Sequence, residues 1–143
     1  MTVKITTAVA SAALLAMVAK VDDGAAAPSL KVYSGTVPAN VTTALTDQVE
    51  LLSAGMSDPA FDTTVTDGGT YVQVPANTLT LSPSVASGTA TFFRIFDGNG
   101  TAIVQGTVTA SGGGGDLEII SGVAINSGVM VAFNTFNMRM PKG

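Results

Sequence analysis

Chemistry needs nucleophiles, bases or ligands at fixed spacing, and this sequence of 143 residues offers few. It contains no histidine and no cysteine. Ser–His and Cys–His nucleophilic machinery is therefore excluded, together with disulfides and with imidazole or thiolate metal sites. No Ser-x-x-Lys spacing occurs, so a Ser–Lys dyad has no starting point. The acids Asp22, Asp23, Asp58, Asp62, Asp67, Asp97 and Asp116 fall where turns are expected. Asp bonds its own backbone in turns, so these read as turn residues and not as a glycosidase pair. Asp97-Gly98-Asn99-Gly100 opens like a calcium loop, yet the third ligand and the closing Glu are missing, and it reads as a hairpin turn. Gly112–Gly115 is no phosphate cradle, because no Gly-Lys-Ser/Thr follows. The reading is a non-enzyme, with no catalytic, cofactor-binding or metal-binding residue and no cofactor. Arg94 alone stands out. It shares a strand face with Phe92 and Phe96. A buried guanidinium needs a partner, and a carboxylate or a backbone carbonyl is expected there.

Composition sets the frame for these residues. Lys plus Arg number 6 and Asp plus Glu number 10, a net charge of −4 that argues against a nucleic-acid partner. Charged residues are only 11% of the chain, so the surface is neutral and poorly protected against association. Such a surface suits either contact with other proteins or a Thr-rich secreted β domain. The length is that of one domain, residues 1–143.

Ala8–Val21 is rich in Ala, Leu and Met and predicts a helix within residues 1–23. Leu14, Met17, Val18 and Val21 give it one apolar face, and Gly24 and Pro28 end it. A secretory signal is the rival reading, but Lys20, Asp22 and Asp23 stand between the apolar run and the small residues Ala25–Ala27. The run is also too short to cross a bilayer, so no membrane partner is expected. Strands follow over residues 29–138. Leu30–Tyr33 alternates, and Gln48–Ser53 places Val49 and Leu51 inward. Tyr71–Val74 and Thr78–Ser82 are separated by Pro75, which marks an edge or a bend. Phe92–Phe96 is apolar on both faces and must be covered on both sides. Asn99-Gly100 predicts a two-residue turn with two positive φ angles, leading into a second long strand to Val108. Gly112–Gly115 reads as a flexible loop and Asp116–Ile120 as a strand. Val129–Asn137 reads as the last long strand, with Val129, Val131 and Phe133 on one face. The tail Met138–Gly143 is exposed or docks on a neighbour. One N-terminal α-helix and seven to eight antiparallel strands mean a mainly β chain, a β-sandwich of jelly-roll or immunoglobulin-like type.

Several stretches together carry a family likeness. Leu30-Lys31-Val32-Tyr33-Ser34-Gly35-Thr36-Val37-Pro38-Ala39 resembles a segment of a group of small tailed-bacteriophage structural proteins. Ser57-Asp58-Pro59-Ala60-Phe61 and Gly88-Thr89-Ala90-Thr91-Phe92-Phe93-Arg94-Ile95 are similar to two more, followed in order by Asp97, Gly100, Thr101, Gly106 and Val108. The departures are Phe92, where the group often has Trp, and the long Gly112–Gly115 loop. The resemblance implies a virion component of the capsid decoration, or cement, type. Such a protein sits on the outer shell and bridges major capsid subunits. The implied partners are the major capsid protein and copies of the chain itself as a dimer or trimer, in a particle made in the bacterial cytoplasm. A tail or connector protein, or a secreted adhesin or carbohydrate-binding module, are the alternatives. The expected partner contacts are Leu14, Met17, Val18 and Val21 of the helix, Gly112, Gly113, Gly114 and Gly115 of the loop, and Met138, Arg139 and Met140 of the tail.

Overall fold

The structure is a computed structural model and describes residues 3–143. Helix α1 (Thr7–Val21) begins where Thr6 Oγ1 accepts the Val9 amide at 3.3 Å. That bond satisfies one of the free amides of the first turn. Ala10, Leu14, Val18 and Val21 are all buried on its inner face. Eleven short strands follow: β1 (Ser29–Ser34), β2 (Val49–Met56), β3 (Thr66–Asp67), β4 (Tyr71–Pro75), β5 (Leu79–Leu81), β6 (Gly88–Thr89), β7 (Phe92–Phe96), β8 (Ala102–Ala110), β9 (Leu117–Ile119), β10 (Ala124–Ile125) and β11 (Asn137–Pro141). They form a six-stranded sheet in the order β5-β2-β1-β7-β8-β9, a three-stranded sheet β11-β4-β3 and a pair β10-β6. The β8–β9 pair is parallel and the other pairs are antiparallel.

The chain is thus mainly β and sandwich-like, with one N-terminal helix. Leu14 and Val18 of α1, Val72 and Val74 of β4, and Val32, Phe93 and Ile95 of the large sheet close into one apolar core. Pro75 does mark a bend: it ends β4, and β5 just beyond it belongs to a different sheet.

Strand β7 is covered on both faces, since Phe92, Phe93, Arg94 and Ile95 are all at most 5% exposed. Phe93 and Ile95 face the core. On the other face Phe92 stacks on Tyr33, ring centres 5.2 Å apart, and burial pushes the Tyr33 hydroxyl up to about 12. The cover on this side is the loop 35–48. Arg94 holds it down: Nη2 donates to the carbonyls of Asn40 (3.3 Å) and Thr43 (2.8 Å), and Nε to Gln105 Oε1 at 3.0 Å. Gln105 Nε2 in turn donates to the Pro38 carbonyl at 2.9 Å. Arg94 therefore satisfies the expectation of carbonyl partners.

Several sequence expectations are corrected. The β7–β8 turn is not the two-residue form, because Asn99 has no positive φ and Gly100 alone (φ 81°) is left-handed. Asp97 Oδ1 accepts the amides of Asn99 (3.0 Å) and Thr101 (2.8 Å), which builds the longer turn closed by a glycine. Gly98 serves packing, since a Cβ there would collide with the Ala26 carbonyl oxygen. Val49 is 49% exposed, not inward. Residues 129–136 form no strand beyond one bridge, Ile119 to Phe133. Instead, Ser84 claims the main chain of Val129 through its amide (2.9 Å) and hydroxyl (3.1 Å).

The tail also departs from expectation. It neither hangs free nor reaches outward, but pairs as β11 with β4. Lys142 joins the two ends of the fold. Its carbonyl accepts the Ile5 amide at 2.9 Å, while Nζ meets Asp67 Oδ1 at 2.7 Å and Thr7 Oγ1 at 3.2 Å. Among the described residues no helix is long and apolar enough to cross a membrane.

Replacing Arg94 by Ala strands two carbonyls under the loop and should cost about 2–4 kcal/mol in urea unfolding, with faster amide exchange confined first to loop 35–48. The hydrogen bond from Lys142 lowers the Asp67 carboxyl from its ordinary 3.8 to about 2. A depressed carboxyl stabilises above its unfolded value and loses that contribution as pH falls through the folded one. Acid titration should therefore weaken the wild type progressively between those two values, and Asp67→Asn should flatten that arm of the stability curve.

Candidate functional site

The three expected contact elements are placed very differently. Leu14, Val18 and Val21 are at most 5% exposed and lie in the chain's own core. This corrects the expectation that they meet a partner: the apolar face of α1 is spent on β4 and β11. Met17 sits at the edge of that face, half-buried. In the tail, Met138 is buried, Met140 is half-buried against the core, and Arg139 is exposed. The Arg139 guanidinium lies 4.7 Å from the Tyr71 ring centre, and its Nε donates to Gln73 Oε1 at 3.1 Å.

Five of the eleven named residues come together all the same. Met17, Gly114, Gly115, Met138 and Arg139 line a single cleft of about 380 Å³. Gly112, Gly113, Met140 and the three buried helix residues stand outside it. The cleft opens between β8 and β11. Phe93 and Phe136 also line it and meet edge to face, ring centres 5.4 Å apart. Phe136 touches Phe61 in the same manner at 5.9 Å.

Two carboxylates border the cleft, and both are occupied as acceptors. Asp116 Oδ2 takes the amide (2.9 Å) and hydroxyl (3.0 Å) of Thr107. Glu118 takes the amides of Gly112 and Gly114, each at 3.1 Å, and Asn134 Nδ2 at 2.9 Å. The Gly112 amide is the largest cause of its lowered carboxyl, followed by Asn134 and Gly114. Successive amides wrapped round an anion form a nest, and left-handed Gly112 (φ 83°) and Gly114 (φ 79°) shape it. The glycine run is therefore an ordered ring about Glu118, not the flexible loop read from its composition. A carboxylate so held stays ionised, which suits an anchor and not a proton donor. Among the described residues, no group of three or more His, Cys, Asp or Glu is placed to hold a metal ion.

Exposed apolar side chains form a second feature, one that the sequence analysis missed. Val85 is 65% exposed, Ile120 58%, Met130 55% and Val129 49%. Main-chain bonds tie their segments together: Ser84 N, next to Val85, to Val129 O at 2.9 Å, and Ile120 N to Ala132 O at 3.0 Å. The alternating pattern puts Val129 on one face with Val131 and Phe133, yet Val131 is buried and Val129 is not. Only the Ser84 bonds, made from far along the chain, turn it out.

Comparison with known proteins gives no matching family model, no matching curated protein and no matching solved structure.

Glu118→Ala should release the loop without unfolding the sandwich. Hydrogen exchange at the Gly112 and Gly114 amides is expected to rise by roughly tenfold or more, while Leu30 and Ile95 remain protected.

Proposed function

We propose that this chain is a structural component of a tailed-phage particle, acting as a decoration protein that braces major capsid subunits from outside. The observation that carries the reading is the exposure of Val85, Ile120, Val129 and Met130, on segments tied by main-chain hydrogen bonds. Large apolar side chains exposed at a surface favour burial against another protein, on the order of 1 kcal/mol each. On a shell the same small contact repeats many times, so a weak single contact suffices. The low charge supports this, since neutral surface is cheaply desolvated. The ordered likeness to small phage structural proteins supports it as well. Its quoted stretches contribute β1, Phe61 and β7, and so bear on the framework, with the contact surface lying elsewhere.

On this reading the partner surface is this exposed apolar set, in place of the helix face. The partners are the major capsid protein and further copies of the chain. Mass spectrometry and antibody labelling of phage particles encoding this sequence provide the test. Label spread over the head, with loss of attachment in Val85→Lys/Met130→Lys chains of unchanged circular dichroism, is expected. Label confined to the tail would move the protein to the tail or connector, and its absence from particles would overturn the reading.

A further inference from the structure

The cleft is bounded by β11, the outer strand of its sheet, and by the stretch of β8 ahead of Val108, where β9 has not begun to pair. On β8, Val108 N donates to Thr91 O at 3.1 Å. The β7–β8 register continues this pairing through Gly106 to Phe93 and Val104 to Ile95. In an antiparallel ladder the residues between bonded pairs turn their main-chain groups the other way. Thr107 and Gln105 therefore point away from β7. The Thr107 amide is taken by Asp116, and β9 begins its pairing only at Val108. The amide and carbonyl of Gln105 are left facing the cleft.

Across the cleft, β11 alternates in the same way. Ala76 N donates to Phe136 O and Lys142 N to Thr70 O, each at 2.8 Å, and the β4–β11 register places Met138 and Met140 in the bonded pairs between them. Asn137 and Arg139 therefore turn their main chain outward, and β11 is the outer strand of its sheet. Gln105, Asn137 and Arg139 all line the cleft. Among the described residues, nothing bonds their main chain on this side.

Proteins normally blunt free edges with lysine, proline or a covering side chain. Here the side chains of Gln105 and Arg139 are drawn away. That of Gln105 is held by Arg94 and Pro38 on the opposite face of the sheet, and that of Arg139 lies on Tyr71. Beneath the edges lie Phe93, Phe136, Met17 and Met138. A helix has spent its amides and carbonyls internally and cannot pair with such edges, whereas an extended chain offers both along its length.

We propose that this cleft receives an extended peptide strand from another protein. The strand bonds to Gln105 on one side and to Asn137 and Arg139 on the other, and points alternate side chains at the Phe93–Phe136 floor. Its chemistry is a run of alternating apolar and polar residues free of proline. One such strand would join the large sheet to the small one. The inference rests on strand register and holds whether or not the chain belongs to a phage particle.

A capped hexapeptide of alternating valine and threonine serves as the probe, alongside the same peptide N-methylated at every amide. Binding of the first should slow hydrogen exchange at the Gln105, Asn137 and Arg139 amides by roughly tenfold or more, and the N-methylated peptide should not. Asn137 faces Pro75 in a pair that exchanges no ladder bonds. Asn137→Pro therefore removes only the outward donor, and should weaken the probe about fivefold or more, while Asn137→Ala should bind it as the wild type does. Equal binding by the two variants, equal protection by the two peptides, or protection at other residues would overturn the proposal. So would concentration-dependent protection without any peptide, which would give the cleft to a second copy of the chain. Should Asn137→Pro fail to fold, the pair of peptides decides the matter on the wild-type protein.

Discussion

A guanidinium shut away from water, with no carboxylate paired to it among the described residues, is the constraint on which the large sheet depends. Arg94 is 5% exposed and finds its partners in Asn40, Thr43 and Gln105. Desolvating a cation is costly, and only well-aimed acceptors repay it. The loop 35–48 must therefore follow one path, and in following it the loop covers Phe92 and Tyr33. Without the cover, β1 and β7 would present aromatic rings to water on one side and the core on the other. Asp47 reinforces the same path, accepting the Thr36 amide (3.3 Å) and hydroxyl (3.1 Å), contacts that lower its carboxyl. A polar network thus fixes the layer outside the sheet as apolar contact fixes the layer inside.

What the sequence revealed and what it hid divide along the range of the interactions. The double coverage of β7 is legible in Phe92–Phe96, because no partly solvated strand carries rings on both faces. The helix and its inner face are legible from the spacing of Leu14, Val18 and Val21. The addressee of that face is not, since periodicity records that a face is buried and not what buries it. The Asn99-Gly100 turn misleads because the Asp97 carboxylate, two residues upstream, offers the backbone a different closure. The glycine run misleads because Glu118 supplies the anchor that the glycines lack. Residues 129–136 alternate as a strand does, but Ser84, more than forty positions earlier, decides their path. In the last three of these a side chain competes with the backbone for an amide, which local patterning does not register.

The candidate surfaces share a physical character. The charged groups that line the cleft are already engaged, Asp116 and Glu118 in holding loops and Arg139 on Tyr71 and Gln73. What each surface offers is shape and unsatisfied contact: apolar area at one, main-chain donors and acceptors at the other.

The clasp at Lys142 has an architectural corollary. Because the Ile5 amide bonds to the Lys142 carbonyl, anything appended ahead of Ile5 and anything appended beyond Lys142 leave from one corner of the molecule. A short bridge across that corner would turn the chain into a ring. The ring could then be cut open at an exposed tip elsewhere and keep every sheet pairing described above. The order in which the elements are synthesised is therefore separable from the order in which they touch, which makes the corner a natural place to graft passengers.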